Sequence, residues 1–173
     1  MTMRFAYADP PYLGCGNLYP EHPSARDWDD PETHRALIQR LTKEFDGWAM
    51  SLSSVSLKAI LPMCPNDCRW GPWVKPFAIF KPNVGVAYAH EFVIWRGGRK
   101  RSRDQDTVRD WVSCNITLKR GLTGAKPREF CRWIFEILNI QPGDEFIDLF
   151  PGTGAVSAAY REWMRATEKE LTP

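Results

Sequence analysis

No apolar run in this chain approaches the roughly 18 residues of a membrane-spanning helix. The segment from Met1 to Arg4 carries no signal-peptide pattern. The two absences argue against a membrane-spanning or secreted protein, and the expected location is the cytoplasm. Histidine is scarce. The three present, His22, His34 and His90, are scattered and receive no catalytic role. Cysteine is odd in number: five residues, at 15, 64, 68, 114 and 131, with irregular spacing that excludes a secreted disulfide framework. Cys64 and Cys68 bracket a turn-like Pro65-Asn66-Asp67, but no second pair follows, so no metal site is expected. Repeats and low-complexity blocks are absent as well. The formal net charge of +2 points to no partner.

What is present reads as one globular domain. A chain of 173 residues is long enough to bury a core, and its hydrophobic (43%) and charged (25%) fractions are ordinary. Arg4 to Ala8 alternates as a strand and stops at Asp9-Pro10-Pro11, where two prolines force the chain out of a sheet. Asp30-Pro31 opens a helix whose Leu37, Ile38, Leu41 and Phe45 share one face. Trp48 to Leu52 is the next strand, Ser54 to Ile60 a short helix, and His90 to Trp95 a further strand. Another strand is expected around Trp111 to Ile116. Lys126-Pro127 opens a helix striped by Phe130, Ile134, Ile137 and Leu138. Glu145 to Phe150 is a strand, and Pro151-Gly152-Thr153-Gly154 turns into a last helix from Ala155 to near Glu168. Alternating strands and helices predict an α/β domain with a mainly parallel sheet, about five core strands and helices on both faces.

Two motifs carry chemistry. Asp9-Pro10-Pro11-Tyr12 follows a strand, where open α/β sheets place their ligands. An amino group conjugated to a purine ring is a weak nucleophile. A carboxylate and a rigid backbone carbonyl accepting its two N–H bonds favour a more pyramidal nitrogen, and Tyr12 can stack on a base taken out of the duplex. The second motif is Asp148-Leu149-Phe150-Pro151-Gly152-Thr153-Gly154, strand to turn to helix. Its glycines let backbone approach a ligand closely. The third glycine of a dinucleotide fingerprint is missing, since Ser157 stands there, which counts against a nicotinamide oxidoreductase. Arg96, Arg99, Lys100, Arg101 and Arg103 form a dense cationic stretch in a basic loop region around 96–123. Beside a base-modifying site, such a stretch is expected to hold phosphates.

Together, the two motifs and the intervening Gly124-Ala125-Lys126-Pro127 resemble the β class of DNA amino-methyltransferases, the circularly permuted class, in its N6-adenine type. The resemblance implies a Rossmann-like, S-adenosylmethionine-dependent methyltransferase fold, circularly permuted and truncated into a minimal member. It implies that Asp9 and the Pro10 carbonyl hold the target amino group within the motif completed by Pro11, while Tyr12 stacks on the base. Asp148, Phe150, Gly152, Thr153 and Gly154 would shape the S-adenosylmethionine pocket, Lys126 would sit near the methionine end of the cofactor, and Ala8 would line the floor between the two sites. An Asp heading the first motif, in place of Ser, points to adenine N6 over cytosine N4.

The sequence departs from that family in two places. After the glycine motif only one further helix is legible, with no counterpart of the acid that grips the cofactor ribose. The segment before Lys126 is also too short for a large target-recognition domain, so sequence specificity is expected to be low, or to be supplied by a protein partner or a second subunit of a homodimer. The alternatives are a cytosine-N4 or RNA-base methyltransferase, and a nucleic-acid-binding protein that kept the fold and lost turnover.

Overall fold

The computed structural model describes residues 1–77, 83–117 and 125–171. Gly124 and residues 118–123 of the expected basic loop lie outside that range. The elements follow the alternation of the sequence: β1 (Arg4–Ala8), α1 (Pro31–Glu44), β2 (Gly47–Ser53), α2 (Leu57–Ile60), β3 (Arg69–Val74), β4 (His90–Gly97), β5 (Val112–Ser113), α3 (Arg128–Leu138), β6 (Glu145–Asp148) and α4 (Ala155–Leu171). Among the described residues no helix is long and apolar enough to cross a membrane.

Local chemistry sets the helix ends. The Asp30 side chain accepts a hydrogen bond from the Glu32 amide at 3.0 Å, and Pro31 fills the first helical position, where a missing N–H costs nothing. At the other end of the chain's central helix, α3 stops at Asn139, which takes left-handed backbone angles (φ 53°). Its side-chain amide donates to the carbonyls of Arg99 and Lys100, which ties the helix end to the segment after β4.

The strands form one sheet in the order β5-β3-β4-β2-β1-β6. The sheet is mainly parallel, as expected: five of its six strands run in one direction and β4 alone is reversed. β1 runs parallel to β2 and β6, and β3 parallel to β5, but β4 is antiparallel to both β2 and β3. Central strands here are buried on both faces, so hydrophobicity marks them as strands without marking their direction. Pro72, inside β3, is tolerated because β5 pairs only with Trp73 and Val74, leaving that edge of β3 open at residue 72.

Both faces of the sheet are covered. Phe5, Tyr7, Ala49, Val93 and Trp95 pack against α3 residues Phe130, Ile134 and Leu138. Ala6, Ala8, Trp48, Met50 and Ile94 pack on the other side with Leu37, Ile38 and Leu41 of α1 and Ile60 of α2. This alternation of strand residues between two cores fixes the register, because a one-residue slip would exchange every side chain between faces.

Candidate functional site

The site lies at the carboxyl end of β1. Because β1 and β6 are parallel neighbours with Tyr7 opposite Asp148, the segments after Ala8 and after Asp148 leave the sheet side by side. The Leu149 amide donates to the Tyr7 carbonyl at 2.9 Å and extends this pairing one step beyond the strands. β4 runs the other way, so its first residues reach the same end: Glu91 is opposite Ser53, the last residue of β2. Asp9, the glycine turn and Glu91 therefore share one edge of the sheet.

There, five polar side chains meet. Lys126, only 6% exposed at its side chain, directs Nζ to Asp9 Oδ2 at 3.0 Å, Glu91 Oε2 at 3.3 Å and the Tyr12 hydroxyl oxygen at 3.2 Å. These acceptors match the three donors of an ammonium group. The Tyr12 hydroxyl donates to Glu91 Oε2 at 2.7 Å, with Asp9 Oδ1 farther away at 3.2 Å. Glu91 Oε1 accepts from Lys75. Around the Lys126 ammonium stand the rings of Tyr12, Trp73 and Phe130, 5.6–5.7 Å from Nζ to each centroid.

Burial and charge pull these groups in opposite directions. Burial pushes the Asp9 carboxyl above the ordinary carboxylate range, and the Lys126 ammonium only partly opposes it. Burial also works on Glu91, but Lys126 and Lys75 outweigh it and hold its carboxyl at about 2. Lys126 would lose its proton more readily through burial alone; Asp9 and Glu91 reverse this and raise it. Tyr12 is raised well above its usual value, first by burial and then by the charge on Asp9. Glu91 and Lys126 are thus a fixed ion pair, and Asp9 is the group of the cluster most ready to take a proton.

A cavity of about 610 Å³ opens beside the cluster, lined by Asp9, Pro11 and Lys126 on one side and Phe150, Gly152 and Thr153 on the other. Trp28, from the segment between β1 and α1, closes it and meets Phe150 edge to face at 5.2 Å between centroids. Asp148 does not line the cavity but shapes it. Its carboxylate accepts from the Phe150 amide and the Ser157 hydroxyl, both at 3.3 Å, bracing the turn. Gly152 has φ +45°, and a Cβ built there would meet, beyond its chain neighbours, only the Phe150 carbonyl oxygen, at 3.9 Å. The Gly154 amide N–H donates a hydrogen bond to the Pro151 carbonyl and holds the turn. Ala8 is fully buried in the α1-side core, with Pro10 buried next to Asp9.

The cationic stretch is elsewhere. Gly97 lies opposite Gly47, and Gly47 opposite Phe5, so β4 delivers Arg96 to Arg103 at the far end of the sheet from Asp9. The expected adjacency to the Asp9 motif is absent. Arg96 pairs with Asp67 at 2.7 Å, and Arg99 with Asp144 at 2.6 Å. Arg101 donates to the carbonyls of Asp106 and Glu136, while Lys100 and Arg103 are exposed. Reading the run as a linear patch missed this, because an antiparallel strand carries its two ends to opposite edges of the sheet. Glu91 and Lys75 were missed for the same reason: neither belongs to a motif, and only strand direction brings them to Asp9.

No protein-family model matches this sequence, and no curated protein matches it. Solved structures do. The chain superimposes on M1.HpyAVI in its complex with SAM with a TM-score of 0.58 at 15% identity, covering 94% of this chain and 79% of that one. Another structure of M1.HpyAVI gives 0.57 at 16% identity, with 94% and 77% covered. The chain shares the Rossmann-like α/β fold of these structures. That fold accounts for the shared edge of Asp9 and the glycine turn, since ligands of open α/β sheets sit at the carboxyl ends of the strands.

Proposed function

We propose that this chain is an S-adenosylmethionine-dependent methyltransferase acting on the exocyclic amino group of a nucleic-acid base, adenine N6 in DNA. The observation that carries the reading is the placement of Asp9 and Gly152 just beyond the carboxyl ends of two adjacent parallel strands, opening onto one cavity.

The residues present fit the cofactor. The cavity is of the size of small-molecule sites. The open space over Gly152 leaves room for close backbone approach, Phe150 and Trp28 offer ring surface for a purine, and Thr153 adds a polar group. When bound, the cofactor supplies a sulfonium methyl group. Phe150, Gly152 and Thr153 would hold it, Asp148 would keep the turn in shape, and Lys126 borders both the cavity and the Asp9 cluster.

On the substrate side, Asp9 and the Pro10 carbonyl accept the two N–H bonds of the target amino group, and Tyr12 presents a ring to the extruded base. Orienting two reactants accounts for much of the expected rate gain. After transfer the nitrogen must lose a proton, and Asp9, whose carboxyl is raised by burial, is suited to accept it.

The test is incubation with labelled S-adenosylmethionine and DNA or RNA of varied base content, followed by nucleoside analysis. The expected product is N6-methyladenine in DNA. Label in cytosine or in RNA would move the substrate assignment, and cofactor binding without transfer to any nucleic acid would favour a nucleic-acid-binding protein that lost turnover.

A further inference from the structure

Asp9 must offer a free acceptor to an incoming amino group if the proposed reaction is right, and the inference here rests on that reading. Oδ2 is taken by Lys126. Oδ1 has, among the described residues, only the Tyr12 hydroxyl within hydrogen-bond range, at 3.2 Å. A tyrosine hydroxyl carries one hydrogen. That hydrogen is directed to Glu91 Oε2, which is closer at 2.7 Å and belongs to a carboxylate fixed by Lys75 and Lys126.

We infer that Glu91 is a positioning residue that holds the Tyr12 hydroxyl hydrogen away from Asp9 and so keeps Asp9 Oδ1 open for the target amino group. Glu91 is suited to this by its three contacts. Lys75 fixes one oxygen; the other receives both Tyr12 and Lys126. Glu91 also shares Lys126 with Asp9, which limits how strongly that ammonium engages the reacting carboxylate. In its absence, both Tyr12 and Lys126 would turn fully onto Asp9. The base-binding acceptor would then be closed by the residue whose ring is meant to stack on the base. Glu91 does not line the cavity, so this role is separate from cofactor binding.

The discriminating experiment is a rescue. Glu91→Leu removes the competing acceptor, and kcat is expected to fall about tenfold, the rate equivalent of one hydrogen bond at a reacting group. Adding Tyr12→Phe removes the hydroxyl that would close Asp9, so Glu91→Leu/Tyr12→Phe should recover much of the loss. A merely structural Glu91 predicts no such recovery. Cofactor affinity, measured by calorimetry, should stay within about twofold in every variant and reports that the site is folded; about twofold is a few tenths of a kcal/mol. Because Glu91→Leu strands two ammonium groups, Glu91→Gln, with and without Tyr12→Phe, gives the same comparison in a milder form.

A second readout needs no turnover. In carboxyl-carbon NMR, Asp9 should titrate lower in Glu91→Gln than in the parent, because one neighbouring negative charge is gone and Tyr12 and Lys126, held less strongly by Gln, engage Asp9 more fully; the part owed to the hydroxyl should disappear when Tyr12→Phe is added, and that difference is the readout of positioning. The remaining groups facing Asp9, namely Tyr7, Tyr19 and Asp148, are the same in both proteins. An unmoved Asp9 titration, a shift that Tyr12→Phe leaves unchanged, or a loss of kcat that it leaves unrepaired, overturns the inference. A parent that methylates nothing overturns the functional reading instead, and the NMR comparison still decides the positioning role.

Discussion

The Tyr12 hydroxyl donates to Glu91 at 2.7 Å across a separation of 79 residues. This bond fixes the edge of the ring that the sequence motif offers to a base, and it gives Tyr12 two separable functions. Tyr12→Ala should weaken capture of the extruded base by roughly 1–3 kcal/mol, the value of one stacked base. Tyr12→Phe keeps the ring face and should retain most methyl transfer. Steady-state kinetics on adenine-containing DNA, with KM for DNA resolved from kcat, checks both; equal losses in the two variants would remove stacking from the account.

Asp9→Ala should cost transfer about a hundredfold or more, on the order of 3 kcal/mol for a polar group at a reacting centre. Cofactor affinity should hold, because the proposed cofactor wall is the glycine turn itself, with Phe150, Gly152 and Thr153, across the cavity from Asp9. Transfer at the parent rate in Asp9→Ala would refute the assignment.

Gly152→Val should abolish cofactor binding by filling the space in front of the turn. Beyond its immediate chain neighbours the new Cβ meets only the Phe150 carbonyl oxygen, at 3.9 Å, so the branch point itself makes no clash within the protein. The left-handed backbone at φ +45° does cost stability, about 1–2 kcal/mol for a non-glycine residue. Calorimetry and thermal unfolding separate the two effects: undiminished binding would place the cofactor elsewhere.

Arg99→Ala should destabilise the fold without touching the site. Asp144, 2% exposed at its side chain, accepts from Arg99 and from the amides of Met3 and Gln141. Loss of the guanidinium leaves this buried carboxylate with backbone partners alone, a cost of about 1–3 kcal/mol. Replacing exposed Lys100 and Arg103 with alanine should leave stability nearly unchanged. Urea unfolding of the two variants tests the contrast.

Acid should affect the two site carboxylates oppositely. The Glu91 carboxyl lies at about 2 in the fold against an ordinary 4.5, so its stabilising contribution is complete above 4.5 and is lost as pH falls toward 2. Asp9 is raised, so its buried charge destabilises the fold at neutral pH, and that penalty disappears as pH falls through its folded value. The Tm gap between parent and Glu91→Gln should therefore be narrower near about pH 3 than near about pH 7. A gap independent of pH would mean that Glu91 is not held ionised by its lysines.

The sequence alone determined what is local or periodic. Asp30-Pro31 capped α1, apolar spacing marked α1 and α3, and the prolines after Ala8 ended β1, because capping, helical periodicity and proline geometry act within a few residues. It also marked Asp9 to Tyr12 and Asp148 to Gly154, whose residue types carry their chemistry with them. Strand direction was decided only in three dimensions, because a strand buried on both faces has the same hydrophobic pattern whichever way it runs. That single choice for β4 brought Glu91 to Asp9 and sent Arg96 to Arg103 to the opposite end of the sheet. It also made Lys126, expected near the methionine end of the cofactor and found lining the cavity, the ammonium that joins Asp9 to Glu91, since a buried lysine must find its counter-charges wherever the strands deliver them.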